Sequence, residues 1–300
     1  MPEVRSSDGQ STVMGLVVAV ASGKGGTGKT TVAVSLALAQ ESSVQLLDCD
    51  VEEPNVHIFI KPFIEKTEPV SIPIPRVDKS KCDFCGKCAQ VCAYNALAVL
   101  KNDVLVFADL CHGCGGCSLL CPRNAITEVG KRIGIVESGS AGSMKFAHGK
   151  LNIGEAMSPP LIRAVKKQLQ LSNSRLTVID VPPGTSCPVI EAIKDSNFCI
   201  LVTEPTPFGL NDLILAVEVL KKLKIPMGVV MNRAEPGFEK IDRYCEEEGI
   251  PVLMHIPFDR EIAVAYSKGI PLIRAKKEYT EKFIAMIDSI RKLSMPVRLN

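Results

Sequence analysis

Gly23-Lys24-Gly25-Gly26-Thr27-Gly28-Lys29-Thr30 decides how this chain is read. The octapeptide fits G-x-x-x-x-G-K-[ST], follows the apolar run Leu16–Ala21 and precedes a helical pattern, Thr31–Gln40. Strand, loop, helix is the context in which such a loop grips phosphate. Its glycines let backbone N–H groups turn inward on phosphate oxygens, and the helix N-terminus adds its dipole. Lys29 brings a point charge for the β- and γ-phosphates, and Thr30 a hydroxyl for Mg²⁺. The nucleotide-binding set is therefore Gly23, Gly25, Gly26, Thr27, Gly28, Lys29, Thr30 and Thr31.

Outward from the loop, Val44–Leu47 reads as a short buried strand ending in Asp48. Pro62–Pro75 is Pro-rich and extended, a linker by composition, and Lys131–Lys150 alternates as a hairpin does. Helical patterns then recur at Pro160–Gln170, Val189–Lys194, Gly209–Leu223, Phe238–Glu248, Arg260–Ser267 and Tyr279–Leu293. Strands are expected between them at Leu176–Ile179, Phe198–Val202, Gly228–Met231 and Val252–Ile256. Strands alternating with helices predict an α/β fold, a mostly parallel sheet covered on both faces. Residues 1–13 are polar and unpatterned, and are expected to be a disordered extension or an expression remnant, with Met14 as a native start.

The chain has 300 residues, 46% apolar, with a net charge of +2 and its Lys and Arg spread along the length. That balance gives no electrostatic ground for nucleic acid or an anionic membrane as partner. No apolar run approaches the ~20 residues that span a bilayer, so the expectation is a soluble cytoplasmic protein. The last helix places Phe283, Ile287 and Ile290 at helical spacing, which reads as a docked core helix.

Cysteine is the outlier: twelve, of which eight lie between Cys82 and Cys121. Clustering of this kind in a long chain points to metal ligands rather than disulfides. Cys82-x2-Cys85-x2-Cys88-x3-Cys92 recurs 29 residues later as Cys111-x2-Cys114-x2-Cys117-x3-Cys121-Pro122, and the flanking Asn95-Ala96 recurs as Asn124-Ala125. This is similar to the bacterial two-cluster ferredoxin pattern, in which the fourth cysteine of each run ligates the other cluster. The resemblance implies one [4Fe–4S] on Cys82, Cys85, Cys88 and Cys121, and a second on Cys111, Cys114, Cys117 and Cys92. Ala93 stands where the pattern has proline, which leaves that turn less fixed. Zinc, or clusters that are purely structural, are the alternatives. Cys49, Cys199 and Cys245 read as packing residues, and His112 and His148 as ordinary polar groups.

Lys24 makes the phosphate loop resemble the deviant Walker A motif, K-G-G-T-G-K-T, of the MinD/ParA/nitrogenase-iron-protein superfamily. In that family the first lysine reaches the nucleotide of a partner subunit, so the resemblance implies an ATP-dependent homodimer with Lys24 acting in trans. Asp48-Cys49-Asp50, with Asn55 beyond, resembles switch I, where the second Asp orients the attacking water. Asp180-Val181-Pro182-Pro183-Gly184 resembles switch II, and Asn232-Arg233 the adenine-recognising position. By that resemblance Lys24, Lys29 and Asp50 are catalytic, and Thr30, Asp50 and Asp180 hold Mg²⁺. Cys187, seven residues past Asp180, resembles the bridging cysteine of the nitrogenase iron protein, but its companion has no counterpart here.

Taken together, the chain resembles MinD-superfamily ATPases with an inserted two-cluster ferredoxin domain, relatives of the Mrp proteins. The implied layout is a P-loop NTPase domain over 14–75 and 130–300, interrupted by an α+β bacterial-type ferredoxin domain over 76–129. The implied activity is ATP hydrolysis coupled to electron transfer or to iron–sulfur or metal-cofactor assembly, with a redox or metallocluster protein as partner. The C-terminal Cys-x-x-Cys of Mrp-type cluster carriers is absent, which counts against a simple carrier. The alternative is a MinD/ParA-like positioning ATPase whose clusters are structural or redox-sensing.

Overall fold

A computed structural model describes residues 15–40, 43–168, 174–234 and 239–294. The expected extension over 1–13 and the start at Met14 lie outside the described residues, as do the last residues of the helix expected at Pro160–Gln170 and the first of that at Phe238–Glu248. In chain order the strands are β1 (Leu16–Ala21), β2 (Val44–Asp48), β3 (Phe63–Val77), β4 (Leu97–Val99), β5 (Val104–Val106), β6 (Ile126–Ala141), β7 (Met144–Leu151), β8 (Leu176–Asp180), β9 (Phe198–Thr203), β10 (Met227–Ala234) and β11 (Val252–Pro257). The helices are α1 (Lys29–Ala39), α2 (Val56–Ile60), α3 (Lys87–Val91), α4 (Gly116–Leu119), α5 (Pro159–Lys166), α6 (Cys187–Ile193), α7 (Pro207–Leu223), α8 (Lys240–Glu247), α9 (Arg260–Ser267), α10 (Leu272–Ala275) and α11 (Glu278–Ser294).

Nine strands form one sheet in the order β11-β10-β9-β1-β8-β2-β7-β6-β3. The first seven run parallel, and β6 and β3 are antiparallel additions at the far edge. β1, β2, β8 and β9 are buried almost throughout, which is why they read as continuous apolar runs rather than alternating ones. One face of the sheet packs on α5 to α8 through Leu161, Val165, Ile193, Leu213, Leu220 and Ile241. The other packs on α1, α2, α10 and α11 through Leu36, Phe59, Leu272, Phe283, Ile287 and Ile290. The last helix is thus docked in the core, as its spacing predicts. No helix of the described residues is long and apolar enough to cross a membrane.

The predicted elements recur with shifted ends; α7 starts two residues early because Pro207 fits the first helical position and Thr206 Oγ1 accepts the Gly209 N–H at 2.9 Å. One expectation is corrected. Pro62–Pro75 is not a linker but most of β3, a 15-residue strand paired along its length with β6. Pro69, Pro73 and Pro75 share one parity, so their missing N–H groups fall on the open edge and the ladder to β6 continues past them, interrupted only by register shifts between Ile64 and Lys66 and between Val70 and Ser71. The hairpin expected at Lys131–Lys150 is present and longer, as β6 and β7.

Residues 78–125 connect the ends of β3 and β6. They hold α3, α4 and the small antiparallel pair β4–β5, around an apolar cluster in which Leu97, Val104 and Cys117 pack with Val77 and Ile126 from the ends of β3 and β6. The 29-residue repeat persists in the backbone. Phe84 and Gly113 (φ 53° and 65°), Gly86 and Gly115 (79° and 73°), and Asn95 and Asn124 (52° and 48°) all take the left-handed conformation.

Candidate functional site

The C-terminal ends of the central parallel strands deliver the nucleotide residues to one edge of the sheet, where crevices of such folds bind ligands. β1 runs into the phosphate loop, β2 ends at Asp48, β8 at Asp180, β9 just before Glu204, and β10 carries Asn232 and Arg233. A cleft of about 350 Å³ opens there, lined by Gly25, Gly26, Gly28, Lys29, Thr30 and Thr31 on one side. Asp50, Glu53, Asn55, Asn232, Arg233 and Asp259 complete its polar rim, with Pro183 beside them. The structure therefore brings most of the phosphate loop, parts of both switch-like segments and Asn232-Arg233 to one cleft, whereas Gly23, Lys24 and Thr27 face a separate small pocket against β9 and α7.

Sequence reasoning missed the remaining wall. Pro257, Phe258, Ile262 and Tyr266 give the cleft an apolar side opposite the loop, suited to a flat ring. The only signal for them is position, since they follow the end of another parallel strand.

Thr30 Oγ1 donates to Asp180 Oδ2 at 2.7 Å, inside a fully buried pocket. Asp180 Oδ1 is buried with no protein partner, as is Thr27 Oγ1. Burial pushes Asp180 above the ordinary carboxylate range, with the Thr30 bond and the Lys29 charge opposing. Burial also pushes Asp48 well above it, aided by repulsion from Asp180. Asp48 accepts the N–H groups of Asp50 at 3.1 Å, Asn55 at 3.0 Å and Val56 at 3.1 Å, so one buried carboxylate holds the whole segment that follows β2. Asp50, at the cleft, is pushed up to about 6 by burial, partly offset by Lys29.

Asn232 Nδ2 donates to the Thr27 carbonyl at 2.8 Å. Gly28 packs so closely beneath it, at φ 94°, that a Cβ would lie 2.3 Å from that nitrogen. Lys24 Nζ lies 3.5 Å from Glu204 Oε2, and Arg233 Nη1 lies 2.6 Å from Glu204 Oε1. Glu204, which no motif marked, thus joins two residues expected to touch nucleotide.

The cysteines of residues 82–121 line two hollows. Cys82, Cys85, Cys88 and Cys121 surround one, and Cys92, Cys111, Cys114 and Cys117 surround the other. Each hollow takes three sulfurs from one C-x2-C-x2-C loop and one from the other repeat. Backbone N–H groups point at the sulfurs in matching pairs: Phe84 to Cys82 and Gly113 to Cys111 at 3.4 Å, Ala96 to Cys92 and Ala125 to Cys121 at 3.3 Å. Among the described residues, no three His, Cys, Asp or Glu side chains converge on a single-ion site.

Cys49, Cys199 and Cys245 are buried, with thiols pushed up by burial, as packing residues are. Cys187 is exposed at the start of α6. His112 is exposed, whereas His148 is buried, its Nε2 2.8 Å from Glu137 Oε2 and its ring edge-on to His57. Burial pushes both His57 and His148 below the usual histidine value.

An uncharacterized protein of Methanocaldococcus jannaschii is 31% identical, over 85% of this chain and 90% of its own. An iron-sulfur cluster carrier protein of Pyrococcus abyssi is 26% identical, over 91% of this chain and 87% of its own. The septum site-determining protein MinD of Pyrococcus horikoshii, solved with Mg-ADP, superposes with a TM-score of 0.55 at 19% identity, covering 95% of this chain and all of that one. The cell division ATPase MinD of Pyrococcus furiosus gives 0.54 at 21% identity, covering 93% and 100%. The two MinD structures therefore share the fold of this chain. Residues 18–272 match the family described as the CobQ/CobB/MinD/ParA nucleotide binding domain, and to that family this chain belongs.

Proposed function

We propose that this chain is an ATP-hydrolysing iron–sulfur protein that couples nucleotide-dependent closure of a homodimer to electron transfer or to iron–sulfur or metal-cofactor assembly. The nucleotide domain comprises residues 14–75 and 130–300, and the cluster domain is the bacterial-ferredoxin-type insert, 76–129. Lys29 and the loop amides hold the phosphates of ATP, Asn232 and Arg233 its base, and Lys24 the nucleotide of the partner subunit. Thr30, Asp180 and Asp50 would hold Mg²⁺; the unpartnered, buried Asp180 Oδ1 beside a hydroxyl is a donor set that suits it. Bound there, Mg²⁺ supplies charge neutralisation at the phosphates. Asp50, its carboxyl pushed up to about 6 by burial, orients the attacking water.

The two hollows suit [4Fe–4S] cubanes. Four thiols line each without meeting at a point, N–H groups are aimed at the sulfurs, and the two loops exchange their fourth ligand. The name of the Pyrococcus abyssi relative agrees with iron–sulfur chemistry.

One observation carries the coupling. The Leu151 N–H of β7 donates to the Val51 carbonyl at 2.9 Å, next to Asp50. β7 pairs with β6, His148 opposite Glu137, and β6 runs on into the hollows. Movement of the segment after β2 therefore has a continuous hydrogen-bonded route to the cysteines.

The test is to prepare the protein anaerobically with its clusters and record their EPR spectrum and midpoint potential with and without MgATP. A shift of either is expected. Normal hydrolysis with unchanged clusters would disconnect the two halves, and ATP-dependent cosedimentation with liposomes or DNA would favour a positioning ATPase instead.

A further inference from the structure

The 29-residue repeat pairs positions 83 with 112 and 123 with 94, and in both halves the two positions meet. Asp83 and Arg123 form an ion pair, Oδ2 to Nε at 2.9 Å. His112 and Tyr94 stack, ring centroids 3.5 Å apart and planes within 6° of parallel. Asp83 and His112 each follow the first cysteine of a loop, while Arg123 and Tyr94 each lie two residues past the remote cysteine of the same hollow. Each pair is thus a clasp that ties the fourth ligand to the three-cysteine loop. The clasps occupy equivalent places and differ in chemistry. An exposed ion pair is weak and screened by salt, whereas stacked rings hold by dispersion and buried area, which salt does not weaken.

Two further differences point the same way. Cys111 and Cys117 are buried, at 8% and 9% exposure, whereas their counterparts Cys82 and Cys88 are only half-buried. The ribbon of β3 and β6 reaches both hollows, with Val77 and Ile126 at the first and Pro73, Pro75 and Glu128 at the second, but it presses closer on the second cysteine loop: a Cβ on Gly113 would lie 3.0 Å from the Pro73 carbonyl and one on Gly115 3.0 Å from Glu128 Oε1, whereas one on Gly86, the counterpart of Gly115, would meet nothing within 4 Å. Pro122 stiffens the turn that carries Cys121, but it does not join that turn to the loop.

Resting on the reading that both hollows bind cubanes, we infer that the two clusters are unequal in permanence. The one on Cys82, Cys85, Cys88 and Cys121 is exchangeable, and the one on Cys92, Cys111, Cys114 and Cys117 is resident. Loss of the first is ligand exchange: each iron–thiolate bond that breaks is replaced by a bond from iron to the acceptor and the freed thiolates take up protons; where a chelator takes the iron, the bridging sulfides take up protons too and leave as hydrogen sulfide, with no electron transferred.

The experiment is anaerobic iron release from the two-cluster protein to EDTA, followed by alkylation of freed thiols and mapping by mass spectrometry. Release is expected in two equal phases, with Cys82, Cys85, Cys88 and Cys121 alkylated after the first. Raising salt from about 0.05 M to about 0.5 M should speed the first phase roughly two- to fivefold and leave the second unchanged. Arg123→Gln should do the same at low salt, and Tyr94→Leu should speed only the second. A single phase, or first alkylation at Cys92, Cys111, Cys114 and Cys117, would overturn the inference while leaving the clusters in place. Protein that takes up no iron would instead overturn the reading on which it rests. Salt acts on the unmutated protein, so the result stands even if a variant fails to fold.

Discussion

Lys24 is held within its own chain by Glu204, Nζ to Oε2 at 3.5 Å. The lysine proposed to serve a partner subunit must leave that carboxylate before it can reach across. Glu204 is only 13% exposed and keeps Arg233 as well, so the contact is a restraint on closure rather than a loose surface pair. Glu204→Gln is expected to tighten ATP-dependent self-association roughly two- to fivefold, read by sedimentation velocity. Lys24→Ala should abolish both self-association and hydrolysis.

Asp180→Asn should lower Mg²⁺ affinity or the rate of ATP hydrolysis by roughly 10- to 100-fold. Its effect on the nucleotide-free protein has the opposite sign. Asp180 is raised by burial, so the folded state holds its proton more tightly than the unfolded state does. The stability it contributes is full below the ordinary carboxylate range and is lost as pH rises through the raised value. The Asn variant escapes that loss. Thermal melts at pH 8 should place it above the parent, with the gap closing near pH 4.

Asp50 gives hydrolysis an acid limb. With its carboxyl pushed up to about 6, kcat/KM should fall about tenfold per pH unit below that value. Asp50→Ala should be nearly inactive, with no residual inflection near pH 6. A parent profile flat down to pH 5 would remove Asp50 from the role of water-orienting base.

Ile133 is fully buried at the root of the ribbon, in the same core cluster as Ile72 and Leu161. Ile133→Ala should cost about 2–4 kcal/mol in urea unfolding, through lost burial and the cavity it leaves. Cluster content in the folded fraction should be unaffected.

Much of the site was legible because its chemistry is local. A loop of glycines and two lysines, an aspartate at a strand end, and cysteines at fixed short spacing each declare themselves within ten residues. The parallel sheet was legible because its strands are apolar on both faces. What escaped is long-range. Glu204 lies 180 residues from Lys24, and nothing near it in sequence announces the contact. β3 hid behind its prolines, which composition reads as a linker and which an edge strand accommodates when all share one parity. The clasps were hidden for a subtler reason: position repeats while residue type does not, so the repeat aligns Asp83 with His112 but only the structure shows that each meets a partner beyond the remote cysteine.

The prolines of β3 have a mechanical consequence. Beyond Ile72 and Lys131 the two-stranded ribbon continues for five rungs, Pro73–Val77 against Gly130–Ile126, a stalk about 16 Å long. Pyrrolidine rings fix the φ of two of those five residues on one strand, so the stalk resists bending and transmits torque instead. Under the proposed coupling, a tilt of about 10° at its base would swing the cysteine-bearing tip through about 3 Å, so that a small rearrangement beside the phosphates would become a stroke at the far end.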